Sequence, residues 1–193
     1  MDTLIFNVIN HSMANPVFDL LMPVLTFQGY LLVLPLLPYI IYRGATTRDD
    51  TGRTYLLWAV APIVIAFLSF PLADSIGDRL KEFAGRPRPC ASLDNVRLLV
   101  HCPSSFSFPS SHATTSFAAA VPLFVLTRSF LSIVWRLYPV GLAVLIAFSR
   151  PYLGVHYPSD IAAGAFLGGG VAYLFCWIFR RFMQQRRAST ELS

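Results

Sequence analysis

Five runs of the chain carry no Asp, Glu, Lys or Arg: Met22 to Tyr42, Tyr55 to Ala73, Ala113 to Thr127, Leu137 to Phe148 and Ile161 to Phe179. A segment that apolar enters hydrocarbon, where every backbone N–H and C=O must be satisfied within the protein, so only helices and closed barrels remain. The runs are continuous rather than alternating, which selects helices. The sequence therefore predicts an all-α polytopic membrane bundle of about five spans. Only 13% of its 193 residues are charged, against about 25% in ordinary soluble domains. No repeat or linker divides the chain, so residues 1–193 read as one integral-membrane domain, with a polar, frayed tail over 184–193.

Ahead of the spans, Leu4, Ile5, Val8, Ile9 and Met13 recur at helical spacing with Asp2, Asn7, Asn10 and His11 between them. Thr3 to Ala14 therefore reads as an amphipathic helix on the membrane surface, within an interfacial segment over 1–19. The opening residues lack the basic n-region of a cleaved signal peptide. The third and fourth runs are short. From His112 to Arg128 and from Arg136 to Arg150, helical rise gives roughly 24 and 21 Å, against a hydrocarbon core of about 30 Å. If Arg128 and Arg136 mark one face, the residues at the other ends lie several ångströms inside the opposite one.

The net charge of +5 comes from basic residues at the ends of the apolar runs rather than from one patch, which argues against nucleic acid. Arg43, Arg48, Arg53, Arg128, Arg136, Arg180, Arg181, Arg186 and Arg187 fall on one side of five spans. Arg79, Lys81, Arg86, Arg88, Arg97 and Arg150 fall on the other. With the three reactive cations Lys81, Arg88 and Arg150 discounted, the split is nine to three, which places the C-terminus in the cytoplasm. The loops Asp74 to His112 and Arg150 to Pro158 then face outward.

Nearly all the reactive side chains lie in those two loops. Pro109-Ser110-Ser111-His112 has the form of a helix start, whose free N–H groups can cradle an anion, although an ordinary capped helix has the same form. Pro158 restricts Tyr157 to extended backbone, so His156 precedes the last helix and Asp160 falls in its first turn, within reach of the histidine. Asp160 would serve the helix N-terminus equally well. Lys81, Arg86 and Arg88 sit in a segment stiffened by Pro87 and Pro89. What favours a catalytic site is that these cations, two histidines and two helix starts fall on one membrane face.

Lys81 with six residues before Arg88-Pro89, Pro-Ser-Ser-His at 109–112, and Ser149-Arg150 followed by His156 and Asp160 together resemble the three-part signature of the phosphatidic acid phosphatase type 2 and haloperoxidase superfamily. One departure is Ser111, where that pattern most often has glycine. The resemblance implies an all-helical, metal-independent phosphatase without a cofactor. It implies that Lys81, Arg88 and Arg150 bind phosphoryl oxygens with Ser110 and the Ser111 amide. It also implies that Asp160 orients His156, the nucleophile that becomes phosphohistidine, and that His112 protonates the leaving oxygen and activates water. The expected substrate is a phosphate or pyrophosphate of a membrane lipid at the bacterial inner membrane, best matched by undecaprenyl pyrophosphate. Phosphatidic acid, phosphatidylglycerol phosphate and lipid A phosphates are the alternatives. A lipid transporter is the competing class, but its charges would line a path, and these cluster at one face.

Phe106, Phe108, Tyr152 and Tyr157 flank the motifs and are expected to form an apolar rim for acyl chains. His101, Cys102, Cys90 and His112 match no zinc spacing. An oxidising compartment would instead let Cys90 and Cys102 pair. No feature points to a protein partner. The orientation predicts that a cysteine at Asn95, in a background without native cysteines, is labelled in intact cells by an impermeant maleimide while one at Thr47 is not. The reverse pattern would invert the topology.

Overall fold

The computed structural model describes residues 1–191, and among these the chain is helical apart from turns and one isolated bridge between Arg48 and Thr54. Helix α1 (Asp2–Asn7) runs into a π-helical turn, Val8–Ser12. Helix α2 (Pro16–Gln28), a 3₁₀ turn (Gly29–Val33) and helix α3 (Leu36–Thr46) form the first span as one broken rod. Then come α4 (Leu56–Ala84), the short α5 (Pro89–Ser92), α6 (Ser111–Leu126), α7 (Ile133–Tyr152) and α8 (Pro158–Glu191).

Four of these segments are long and apolar enough to cross a membrane, and α6 is a shorter apolar helix of 16 residues. The expected five apolar helices are present with different lengths. Helix α7 has 20 residues, about 30 Å of rise, and is not short. It starts at Ile133 and carries on through Ser149, Arg150 and Pro151, where apolar patterning suggested an end. Helix α6 remains short at roughly 24 Å. Helix α8 continues through the polar tail to Glu191 rather than fraying, and Leu192 and Ser193 lie outside the described residues.

Helix α6 is the central post of the bundle, packed by α4, α7 and α8. Its side chains from Ala113 to Ser116 are all buried, whereas α4 and α8 turn Phe67 and Phe166 outward, as lipid-facing helices do. The contact between α6 and α8 is backbone against backbone. A Cβ added to Gly168 would lie 1.8 Å from the Thr114 carbonyl oxygen, and one on Gly164 2.5 Å from that of Ser110. Glycines thus let α8 approach the first turns of α6, the small-residue packing that membrane helices use.

The two ends of the bundle differ in charge and chemistry. At one, Arg128 and Arg180 border a cavity of about 200 Å³ with Tyr55 and Trp58. At the other, the Cys90–Cys102 disulfide and the three motif segments meet. The N-terminal helix lies at this second end, because Asp2 pairs with Arg86 and hydrogen-bonds Ser159.

Gly168→Ala should push α8 off the start of α6 and cost about 1–3 kcal/mol by overpacking, read as a lower Tm in detergent. A Cβ on Gly170 meets nothing within 4 Å, so Gly170→Ala should leave Tm unchanged or raised.

Candidate active site

The site is assembled around Asp160, in the first turn of α8 and fully buried. Its Oδ2 accepts a hydrogen bond from the Tyr157 amide (2.8 Å) and another from the Ser107 hydroxyl. Its Oδ1 accepts from Arg86 Nη1 at 2.7 Å. The backbone joins in, since the Ser110 amide donates to the Asp160 carbonyl at 3.0 Å. One residue thereby ties the Arg86 segment, the loop before α6 and the start of α8 together.

His156 Nδ1 lies 3.5 Å from Asp160 Oδ2, close for electrostatic attraction and longer than a well-formed hydrogen bond. Its Nε2 is 2.8 Å from Arg88 Nη1. A guanidinium can only donate, so Nε2 is the unprotonated nitrogen and the ring proton sits on Nδ1, facing the carboxylate. Arg88 is held by four further contacts: Nε and Nη2 donate to the Ser105 carbonyl and hydroxyl (2.7 and 3.0 Å), Nη1 to the Val155 carbonyl (3.0 Å) and Nη2 to that of Phe106 (3.2 Å). The sequence places His156 there through Gly154, whose φ of +88° and close approach to Arg97 O, 2.9 Å from an added Cβ, admit no side chain without strain.

Lys81 is buried on α4, its ammonium 2.7 Å from Asp78 and hydrogen-bonded to the Ser111 hydroxyl. Arg150, in the last turn of α7, donates from Nη1 to Thr26 Oγ1 at 2.7 Å. Its Nε and the Ser110 hydroxyl are buried without a hydrogen-bond partner. Ser110 holds the N-cap position of α6 without a side-chain capping bond, and Ser111, the first residue, has an amide with no intrahelical acceptor. His112 is half-buried and lies in the electrostatic field of Arg150, His156, Arg88 and Lys81. All eight catalytic and phosphate-binding positions expected from the sequence therefore converge on one place.

The expected rim is corrected at two positions. Tyr152 is fully buried, set edge-on to Phe18 with its hydroxyl donating to Asp19, and Tyr157 is buried against Phe6 under the Arg86 guanidinium. Tyr152 fills the joint with the start of α2 and Tyr157 the joint with the N-terminal helix, so neither can meet acyl chains. Phe106 is exposed and Phe108 half-buried. Cys90 and Cys102 are bonded to each other, so neither thiolate is available for zinc. Sequence reasoning grouped Arg86 with the stiffened cations but gave it no role of its own, and it assigned none to Ser107, Thr26 or Asp78. Of these last three, only Thr26 left a signal, as a polar residue inside an apolar run.

Burial pushes His156 down to about 4, with Asp160 pulling upward and Arg88 and Arg150 adding to the fall. The imidazole is thus neutral at physiological pH. Unfolded histidine takes up its proton near 6.5, so stability from this group is whole above that pH and declines as pH falls toward 4. The fall in unfolding free energy over that window should be shallower in His156→Gln, by up to about 1.4 kcal/mol per pH unit, read as a smaller loss of Tm on acidification.

Residues 55–184 match the sequence pattern of the PAP2 superfamily. Two curated relatives are a lipid A 4'-phosphatase from Bacteroides thetaiotaomicron, 30% identical over 94% of this chain and 79% of its own, and an undecaprenyl-diphosphatase from Sulfolobus acidocaldarius, 31% identical over 64% and 63%. Among solved structures, the transmembrane PAP2-type phosphatidylglycerolphosphate phosphatase of Bacillus subtilis superposes with a TM-score of 0.67 at 27% identity, over 93% of this chain and 85% of that one. With the family pattern covering α4 to α8 and all the motif residues inside it, this chain belongs to the PAP2 superfamily, among its membrane lipid phosphatases.

Proposed function

We propose that the protein removes a phosphate from a lipid phosphate or diphosphate through a phosphohistidine at His156, without a metal, at the extracytoplasmic face of the bacterial inner membrane. The observation that carries this reading is the placement of His156: Nε2 lies 2.8 Å from Arg88 Nη1 while Nδ1 lies 3.5 Å from Asp160 Oδ2, so the lone pair faces the Arg88 fork. A phosphoryl group entering between Nε2 and Arg88 takes over the guanidinium donor and meets the lone pair. Nε2 attacks phosphorus and the bond to the leaving oxygen breaks. His112 gives that oxygen its proton, then takes one from the water that cleaves the P–N bond. Asp160 stabilises the imidazolium and holds the ring in register.

Phosphoryl transfer asks chiefly for stabilisation of charge on the equatorial oxygens. Lys81, Arg88 and Arg150, with the Ser110 hydroxyl and the start of α6, supply that charge in the place a metal would take. Activity should therefore survive exhaustive chelation and dialysis. The outward orientation is supported by the basic residues at the opposite end and by the Cys90–Cys102 disulfide, which persists in an oxidising compartment.

Undecaprenyl pyrophosphate is the favoured substrate, consistent with the diphosphatase among the relatives. A phosphomonoester of a glycerolipid or of lipid A is the second reading, favoured by the other two proteins compared above. Side-by-side turnover of the four lipid classes by purified protein decides between them. A transporter would release no inorganic phosphate in that assay.

The two histidines separate under rapid quench with an aryl phosphate, whose good leaving group hardly needs a proton. His112→Ala should accumulate an acid-labile, alkali-stable phosphoprotein, because water attack lacks its base. His156→Ala should form none. Label in His156→Ala instead would exchange the two roles.

A further inference from the structure

Asn7 and His11 of the N-terminal helix are exposed, as on a surface helix, but Asp2, Phe6 and Asn10 form one row, spaced by four, that faces the protein. Phe6 is fully buried against Tyr157, with ring centroids 5.8 Å apart. Asn10 is fully buried and donates to the carbonyls of Arg97 and Tyr152, both at 2.9 Å, while accepting from the Arg97 amide. Leu4, Ile5 and Val8 are exposed. The helix is thus strapped across the ends of α7 and α8, with its apolar side outward.

The strap ends on the catalytic carboxylate. Asp2 Oδ2 accepts from Arg86 Nη2 at 2.6 Å, and Arg86 Nη1 donates to Asp160 Oδ1 at 2.7 Å. Asp2 also accepts from the Ser159 amide and hydroxyl, and Arg86 lies 4.0 Å above the Tyr157 ring. One guanidinium therefore bridges two carboxylates, one at the surface and one that faces His156.

The geometry points to Asp2 as a positioning residue that acts through Arg86 on the Asp160–His156 pair, so that seating of the N-terminal helix sets the alignment of the nucleophile. This rests on His156 being the nucleophile. Two carboxylates divide the guanidinium between them and fix its plane by a bond at each end. With Asp2 neutralised, the whole cation turns on Asp160, draws it from His156 and leaves a positive charge uncompensated beside the ring. The charged groups facing His156 are Asp160 from α8, Arg88 and Arg150, with His112 from α6 also in their field. Asp2 touches none of the phosphoryl-binding side chains, so substrate binding is not its task.

Asp2→Asn keeps the side chain's shape and its acceptor for Ser159, and is compared in detergent with Asp2→Glu, Arg86→Gln and the double variant Asp2→Asn/Arg86→Gln. In Asp2→Asn the rate of phosphoenzyme formation from an aryl phosphate should fall on the order of tenfold, within the range known for small misplacements, with KM unchanged. Asp2→Glu should recover most of it. The acid limb of kcat/KM should move to lower pH in Asp2→Asn, where the Arg86 charge is unbalanced, and to higher pH in Arg86→Gln, where that charge is gone. If Asp2 acts through Arg86, its neutralisation adds nothing further in the Arg86→Gln background.

A merely structural strap predicts losses that multiply and pH limbs that do not move in opposite directions. Either result, or a wild-type rate in Asp2→Asn, overturns the inference. His156→Ala run alongside keeps the two readings apart. A phosphoenzyme persisting there removes the nucleophile and this inference with it, whereas its loss there together with an unaffected Asp2→Asn removes only the inference.

Discussion

A fully buried carboxylate is the constraint on which the rest of the site depends. Asp160 has no exposure, and a charge withdrawn from water is tolerated only when its oxygens are paired and hydrogen-bonded. The partners come from places far apart in sequence: Arg86, Ser107 and the Tyr157 amide. Satisfying the charge therefore folds the loop after α4 and the loop before α6 onto the start of α8. The same requirement fixes His156, whose ring proton has one acidic neighbour and whose free nitrogen has one guanidinium.

Helix α6, roughly 24 Å long, carries Ser110, Ser111 and His112 at its start, whereas α7 is long enough to span and holds Arg150 in its last turn, so only the α6 side of the site keeps the expected shortness. Glycines of α8 bring the start of α6 against the turn holding Asp160. The buried cations Lys81, Arg88 and Arg150 are less screened than in bulk water. Around this end the disulfide, the Asn10 clamp and the Tyr152 contacts tie down loops that would otherwise be loose. These contacts make the candidate site the most heavily cross-tied part of this end of the bundle.

The division of labour among cations follows from what each touches. Arg88 is saturated by protein carbonyls, a hydroxyl and the histidine, and so is immobile. Arg150 retains a buried Nε without a partner, and Lys81 is shared between Asp78 and Ser111. Arg86, equally basic and two residues from Arg88, faces the carboxylates instead. Charge alone does not decide what a cation does here: Arg88 meets His156, while Arg86 bridges Asp2 and Asp160.

The sequence by itself determined the class of fold and the core of the site. Runs without charge can only be spanning helices, and Lys81, Arg88, Ser110, Ser111, His112, Arg150, His156 and Asp160 stand at fixed local spacings that resemble a family signature. Pro158 and Ser110 marked the helix starts correctly, because capping and proline geometry are local. Tertiary structure alone decided the rest. Arg86, Ser107 and Thr26 find partners 74, 53 and 124 residues away, a distance no local pattern encodes. Tyr152 and Tyr157 look like interfacial aromatics in sequence and are buried, the first against the start of α2 and the second by the N-terminal helix. That helix turned Asp2, Phe6 and Asn10 inward, because Asp2 and Asn10 meet hydrogen-bond partners there and Phe6 packs on Tyr157, while Asn7 and His11 stay exposed. Periodicity can identify the two sides of a helix, but only packing decides which side meets the protein.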